Sequence, residues 1–239
     1  DWPDLSLVDF ESDGKKISAA LDPERVHIYE STMGLFERLH SLIPFEEALL
    51  AFYDEPELLE EFFSRMVDYK ISTFEKVFQY YGRVDGVNYH DDWGTQRGGF
   101  FSNKMFEEQI MPQTTRLIEY IKSTGRIVEL HSCGKNMQYV PYMIEMGVDL
   151  WAPQHTINDF DYLFNNYNDK ISFAFTIPVN PEMNEQQVRA CIRDFVERYG
   201  GNGRVMGWLR AGTCNPELVP KAREELYNYS LEYYRKLWK

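Results

Sequence analysis

Long apolar runs are missing from this chain. No stretch approaches the roughly eighteen residues that cross a bilayer as a helix, so no transmembrane segment is expected. Nor is an export signal expected ahead of the first helical stretch. Cysteine is scarce, three in 239 residues, which excludes a disulfide framework and points to a reducing compartment, the cytoplasm. Positive charge is also short: 25 Lys and Arg stand against 38 Asp and Glu, a net charge of -13. That balance argues against nucleic acid or an anionic membrane as partner. No Pro/Ser-rich linker or charge block divides the chain, so one domain over 1–239 is expected. The chain opens on Asp1 without an initiator methionine, and residues ahead of it are expected.

What is present is an ordinary apolar fraction (44%) with many aromatics, 16 Tyr and 16 Phe, enough for a large core or a lined cavity. Six strand-like runs recur: Val26–Glu30, Val84–Asp91, Ile127–Ser132, Val148–Ala152, Ile171–Ile177 and Val205–Arg210. Helical patterns separate them at Pro56–Gln79, Asn103–Thr124, Gln138–Met146 and Asn184–Tyr199, and another closes the chain at Pro220–Lys239. Cys191 falls on the apolar stripe of the fourth of these and reads as core. Regular alternation of this kind implies parallel β/α units. The closed form is a (β/α)8 barrel, with its active site at the C-terminal strand ends. A doubly wound open sheet is the alternative, but it usually shows a Gly-rich first turn, and none is present. Six strands leave the barrel two short, so two irregular strands, or residues ahead of Asp1, are expected to complete it.

Chemistry concentrates at the expected strand ends. His131-Ser132-Cys133 closes an apolar run, and residues two apart on a strand share a face, so imidazole and thiol converge. Cys214, in a loop after the last strand, is a candidate third ligand. Three N/S ligands with an open fourth position are how a catalytic zinc is held, and the spacing fits no zinc finger. The plainer reading makes both cysteines small buried hydrophobes and His131 a hydrogen-bonded core residue. Glu129, one step deeper on the same face, is either a fourth ligand or an anchor for the imidazole.

Asp91 and Asp92 end the second strand, where adjacent residues face opposite sides. One of the two is therefore expected to point into the barrel, to bind a substrate's polar edge, orient a metal ligand or act as acid or base, with Gln96 beside it. Their ordinary alternative is helix capping or a turn. Glu30, His90, Trp93, Gln154 and Arg210 are the other rim residues expected to contact substrate; His155 follows Gln154 on the same rim.

Several motifs occur together in order: Leu35-Phe-Glu-Arg-Leu, Pro44-Phe-Glu-Glu-Ala-Leu-Leu, Asp54-Glu-Pro-Glu, Val84-Asp-Gly-Val, Asp91-Asp-Trp-Gly-Thr-Gln, Ile110-Met-Pro, His131-Ser-Cys-Gly, Gly147-Val-Asp and Pro153-Gln. As a set they resemble the uroporphyrinogen decarboxylase superfamily from about residue 26 to the C-terminus. The resemblance implies a (β/α)8 barrel. Within the superfamily the chain is most similar to the zinc methyltransferases, which move a methyl group between a small methylated substrate or thiol and a corrinoid (cobalamin) on a partner protein. Their His-x-Cys and distant Cys correspond to His131, Cys133 and Cys214. The surroundings of Cys214, Arg210-Ala-Gly-Thr-Cys-Asn-Pro, depart from the family's Gly-Cys-Gly-like stretch.

The region ahead of residue 26 is too short to carry the arginines and aspartate that decarboxylases apply to a tetrapyrrole. Decarboxylation is therefore the alternative activity, and a non-catalytic binding subunit the second alternative.

Overall fold

The computed structural model describes residues 2–155, 157–210 and 212–239. Asp1 and Ala211, the latter inside the loop expected to carry Cys214, lie outside the described residues, as does Thr156. The chain forms two compact units, Asp1–Asp149 and Leu150–Lys239. Among the described residues six parallel strands, three in each unit, alternate with helices, so the fold is α/β and that of a partial (β/α)8 barrel. Among the described residues no helix is long and apolar enough to cross a membrane.

In the first unit β1 (Ile28–Ser31), β2 (Gly86–His90) and β3 (Ile127–Ser132) pair in parallel, with Glu30 opposite Asn88, Asn88 opposite Glu129, and His90 opposite His131. Five helices accompany them before the first long loop and beyond: α1 (Phe10–Ala20), α2 (Leu35–Leu42), α3 (Phe45–Asp54), α4 (Pro56–Tyr80) and the single turn α5 (Asn103–Met105). The unit continues with α6 (Met111–Ser123) and α7 (Val140–Glu145). Pro56 opens α4, a position where its missing N–H costs nothing. The buried stripe of α4, Leu59, Phe63, Met66, Val67, Lys70, Phe74 and Val77, follows helical spacing.

The helix expected over Asn103–Thr124 is not continuous. A π-turn over Phe106–Ile110 separates α5 from α6. Pro112 cannot donate to a carbonyl four residues back, and the Met111 amide bonds instead to Phe106, five back.

Lys70 is the one charged residue on the buried stripe of α4. Its Nζ donates to Ser31 Oγ and to the Thr32 carbonyl, each at 3.2 Å. Burial pushes its pKa down to about 8. Between about 8 and its ordinary value the unfolded chain holds a proton that the folded chain has released, so stability rises with pH across that window. The shift corresponds to a gain on the order of 3 kcal/mol. We expect the stability difference between wild type and Lys70→Met, followed by chemical denaturation from pH 7 to 10.5, to move in favour of wild type as pH rises. A flat difference would show that Lys70 is not held charged against its burial.

In the second unit β4 (Leu150–Pro153), β5 (Ser172–Thr176) and β6 (Val205–Trp208) pair in parallel order. They alternate with α8 (Phe160–Tyr167), α9 (Glu185–Tyr199) and α10 (Val219–Leu237). Asn184 caps α9 by accepting the Gln187 amide at 3.0 Å, and Gln187 returns the bond to the Asn184 amide at 2.9 Å. The helices α9 and α10 are tied by Glu225, buried between Arg189 and Arg193. Cys191 is half-buried on α9.

Candidate metal centre

The alternation of β2 and β3 sorts their side chains. Val87, Tyr89 and Asp91 on one strand, and Val128, Leu130 and Ser132 on the other, are fully buried. Asn88, His90, Glu129 and His131 share the opposite, half-buried face. Because His90 and His131 are register partners at the strand ends, their rings stack, with centroids 4.4 Å apart and planes at 25°.

One ligand atom from each of His90, Asp92 and His131 lies within 4.8 Å of the others. The His131 Nε2 is also 3.3 Å from the Cys133 Sγ. The Cys133 amide donates to Asp92 Oδ1 at 2.6 Å, which ties the end of β2 to the His-x-Cys turn. That turn is close-packed. Ser132 Oγ accepts from the Trp93 amide at 3.0 Å and from Asn136 Nδ2 at 2.8 Å. Gly134, at φ 106°, passes so close to Gly94 that a Cβ would sit 2.4 Å from its carbonyl carbon, so only glycine fits.

Asp91 points away from this cluster. Its carboxylate accepts from the amides of Phe36 (3.3 Å) and Glu37 (3.0 Å), closing the N-terminus of α2, and burial pushes its pKa up to about 7. Only Asp92 of the pair faces the histidines, as two adjacent strand residues require.

Glu37 stands in the first turn of α2 and meets His90, with Nδ1 to Oε2 at 3.1 Å. Burial works to raise the Glu37 carboxyl, yet His90 and the Gly34 amide hold it below its ordinary value. The same bond raises the His90 imidazole. Sequence reasoning did not single out Glu37 as a site residue; its only signal was a place inside the Leu35-Phe-Glu-Arg-Leu motif.

The other expected residues are dispersed. Glu129 lies one row below His131 in register with Asn88, and burial, then Glu30, raises its carboxyl. Glu30 is exposed and helps line a cleft of about 780 Å³ with Tyr29, Met33, Phe62 and Lys70. Trp93 is fully buried, edge-on to Phe106 at 4.8 Å. Gln96 sits in an exposed turn closed by the Thr95 amide to the Gly98 carbonyl at 2.8 Å.

Gln154, His155, Arg210 and Cys214 belong to the second unit. The Gln154 carbonyl accepts from Asn158 at 2.9 Å, and burial, then Arg210, lowers the His155 imidazole. Arg210 is exposed beyond β6, which ends at Trp208 rather than at Arg210, and Cys214 is buried.

The donors at the ends of β2 and β3 are imidazole nitrogen, carboxylate oxygen and thiol sulfur. This mixture suits zinc, whereas magnesium and calcium prefer oxygen alone.

Comparison with known proteins adds two findings. The family model described as uroporphyrinogen decarboxylase (URO-D) matches residues 16–172. Among solved structures, the chain is similar to a methyltransferase from Methanosarcina mazei, with a TM-score of 0.71 at 13% identity. The likeness covers 94% of this chain and 64% of that one, so this chain spans about two thirds of that chain's length, and at this identity it establishes the fold alone. No curated protein matches the sequence.

Proposed function

This chain belongs to the uroporphyrinogen decarboxylase family, and we propose that it acts there as a zinc-dependent methyltransferase. The reaction moves a methyl group between a small methylated substrate or thiol and a corrinoid on a separate protein. The observation that carries this reading is the convergence of His90, Asp92, His131 and Cys133 at the C-terminal ends of β2 and β3, where barrel enzymes do their chemistry.

His131 and Cys133 would hold the metal, with Cys214 as the third ligand that the family resemblance assigns. Zinc supplies Lewis acidity there, keeping a bound thiol ionised or polarising the donor's heteroatom. Asp92 holds the Cys133 backbone in place through its amide. Gln96, Gln154 and Arg210 are the side chains offered to the substrate's polar edge. A porphyrinogen decarboxylase must instead meet several carboxylates with cations, and the strand face beneath the histidines carries Glu30, Asn88 and Glu129. The thiols that this chemistry requires stay reduced in the cytoplasm.

The test uses methylcobalamin and a small thiol. Transfer yields a thioether and cob(I)alamin, followed by the change in the cobalamin visible spectrum, with zinc content measured on the same samples. About one zinc per chain with thiol-dependent demethylation is expected, both diminished in Cys214→Ala. Zinc-loaded protein that leaves methylcobalamin and methylated thiols unchanged would overturn the methyltransferase reading.

A further inference from the structure

We infer that His90 is a ligand of the same metal as His131, and that Glu37 is the residue that positions it. The inference rests on the reading that this strand face holds a metal, but not on the identity of the reaction.

Three observations point the same way. First, the ligand atoms of His90, Asp92 and His131 already lie within 4.8 Å of one another. Tetrahedral zinc ligands at about 2.0–2.3 Å from the ion stand roughly 3.3–3.8 Å apart, so small side-chain rotations close the site.

Second, the His90 ring is oriented from behind. A neutral imidazole whose Nδ1 faces the Glu37 carboxylate at 3.1 Å carries its proton there, which makes Nε2 the lone-pair atom. Carboxylate, histidine and metal in line is the usual outer support of a zinc imidazole.

Third, Glu37 is itself built in. Its side chain is only 12% exposed, its Oε2 also accepts the Gly34 amide at 3.2 Å, and the turn of α2 that carries it is pinned to the end of β2 by Asp91. A carboxylate held this firmly against one edge of a half-buried histidine fixes that ring in one orientation beside His131.

Together these residues give the first unit two imidazoles, a carboxylate and a thiol at one place.

The experiment is cobalt substitution of the full chain, read by visible and near-ultraviolet absorption and by titrated affinity, in wild type, His90→Gln, Glu37→Gln and Cys214→Ala. Circular dichroism and thermal melting confirm that each variant is folded. Wild type is expected to bind one cobalt with tetrahedral d–d bands and a thiolate charge-transfer band. In His90→Gln the d–d envelope should change and affinity fall at least as far as in Glu37→Gln, with the thiolate band kept by Cys133. Glu37→Gln should lose about 10–100-fold in affinity, the usual cost of an outer partner. A merely structural Glu37 would lower the melting temperature and leave the saturated spectrum and affinity alone.

Unchanged spectrum and affinity in His90→Gln overturns the inference. If Cys214→Ala then loses the metal, the three-ligand reading survives without His90. If wild type binds no cobalt or zinc under reducing conditions, both fall.

Discussion

Replacing His131 by alanine is expected to empty the proposed metal centre and slow the proposed methyl transfer by roughly a thousandfold or more, with the fold retained. His131 is common to both ligand sets, since it clusters with His90 and Asp92 and also approaches Cys133 Sγ at 3.3 Å. Its loss therefore reaches the metal whichever further ligands complete the site. A Lewis acid contributes several kcal/mol to the stabilisation of developing charge, and about 1.4 kcal/mol is a factor of ten in rate. The fold should survive because β3 packs through Val128, Leu130 and Ser132, all fully buried on the other face, while His131 stays half-exposed. The measurements are metal content, the methylcobalamin assay and the thermal midpoint on one preparation. A His131→Ala protein that keeps its zinc and its rate would remove the centre from the mechanism. One that fails to fold would show that the histidine pair supports the strand ends structurally.

The second large effect is on stability. Gly34→Ala is expected to destabilise the protein by about 3 kcal/mol and to weaken metal binding as well. Gly34 precedes α2 in ordinary extended backbone, at φ -65°, so conformational freedom is not what it provides. Space is. A Cβ there would stand 2.1 Å from the Asp91 Cβ and 2.3 Å from its Cγ, far inside van der Waals contact. Asp91 is buried and held by two amides, so neither side yields without cost. Relief requires α2 to retreat, breaking the Asp91 cap and drawing Glu37 away from His90. Urea denaturation gives the first effect and cobalt titration the second. A variant as stable as wild type would mean that this junction is looser than its distances imply. A destabilised variant with unchanged cobalt affinity would separate the cap from the support of His90.

Much of the architecture was legible in the residues. The run Ile127–Ser132 is a strand with those bounds: Gly125 and Cys133-Gly134 bracket it, and its burial alternates residue by residue. The helix at Pro56 begins where a proline at the first turn requires, and the one at Asn184 begins at a capping box. Some boundaries differ from the expected ones. The π-turn before Pro112 is one case, and the end of the last strand at Trp208 rather than at Arg210 is another.

Residue types and spacing by themselves determined that this is an α/β chain of barrel type, and that His131 and Cys133 point to one place. Both follow from short-range periodicity, which the backbone geometry of strands and helices imposes locally. Which of two adjacent aspartates faces the histidines was open until register and burial were known. Asp92 does, because Asp91 is occupied by the amides of α2, some 54 residues earlier in the chain. The pairing of Glu37 with His90, 53 residues apart, was likewise decided only by tertiary structure. No local periodicity encodes such a contact. It exists because α2 is brought back to the end of β2, where a buried carboxylate needs the helix amides and a half-buried imidazole needs the carboxylate.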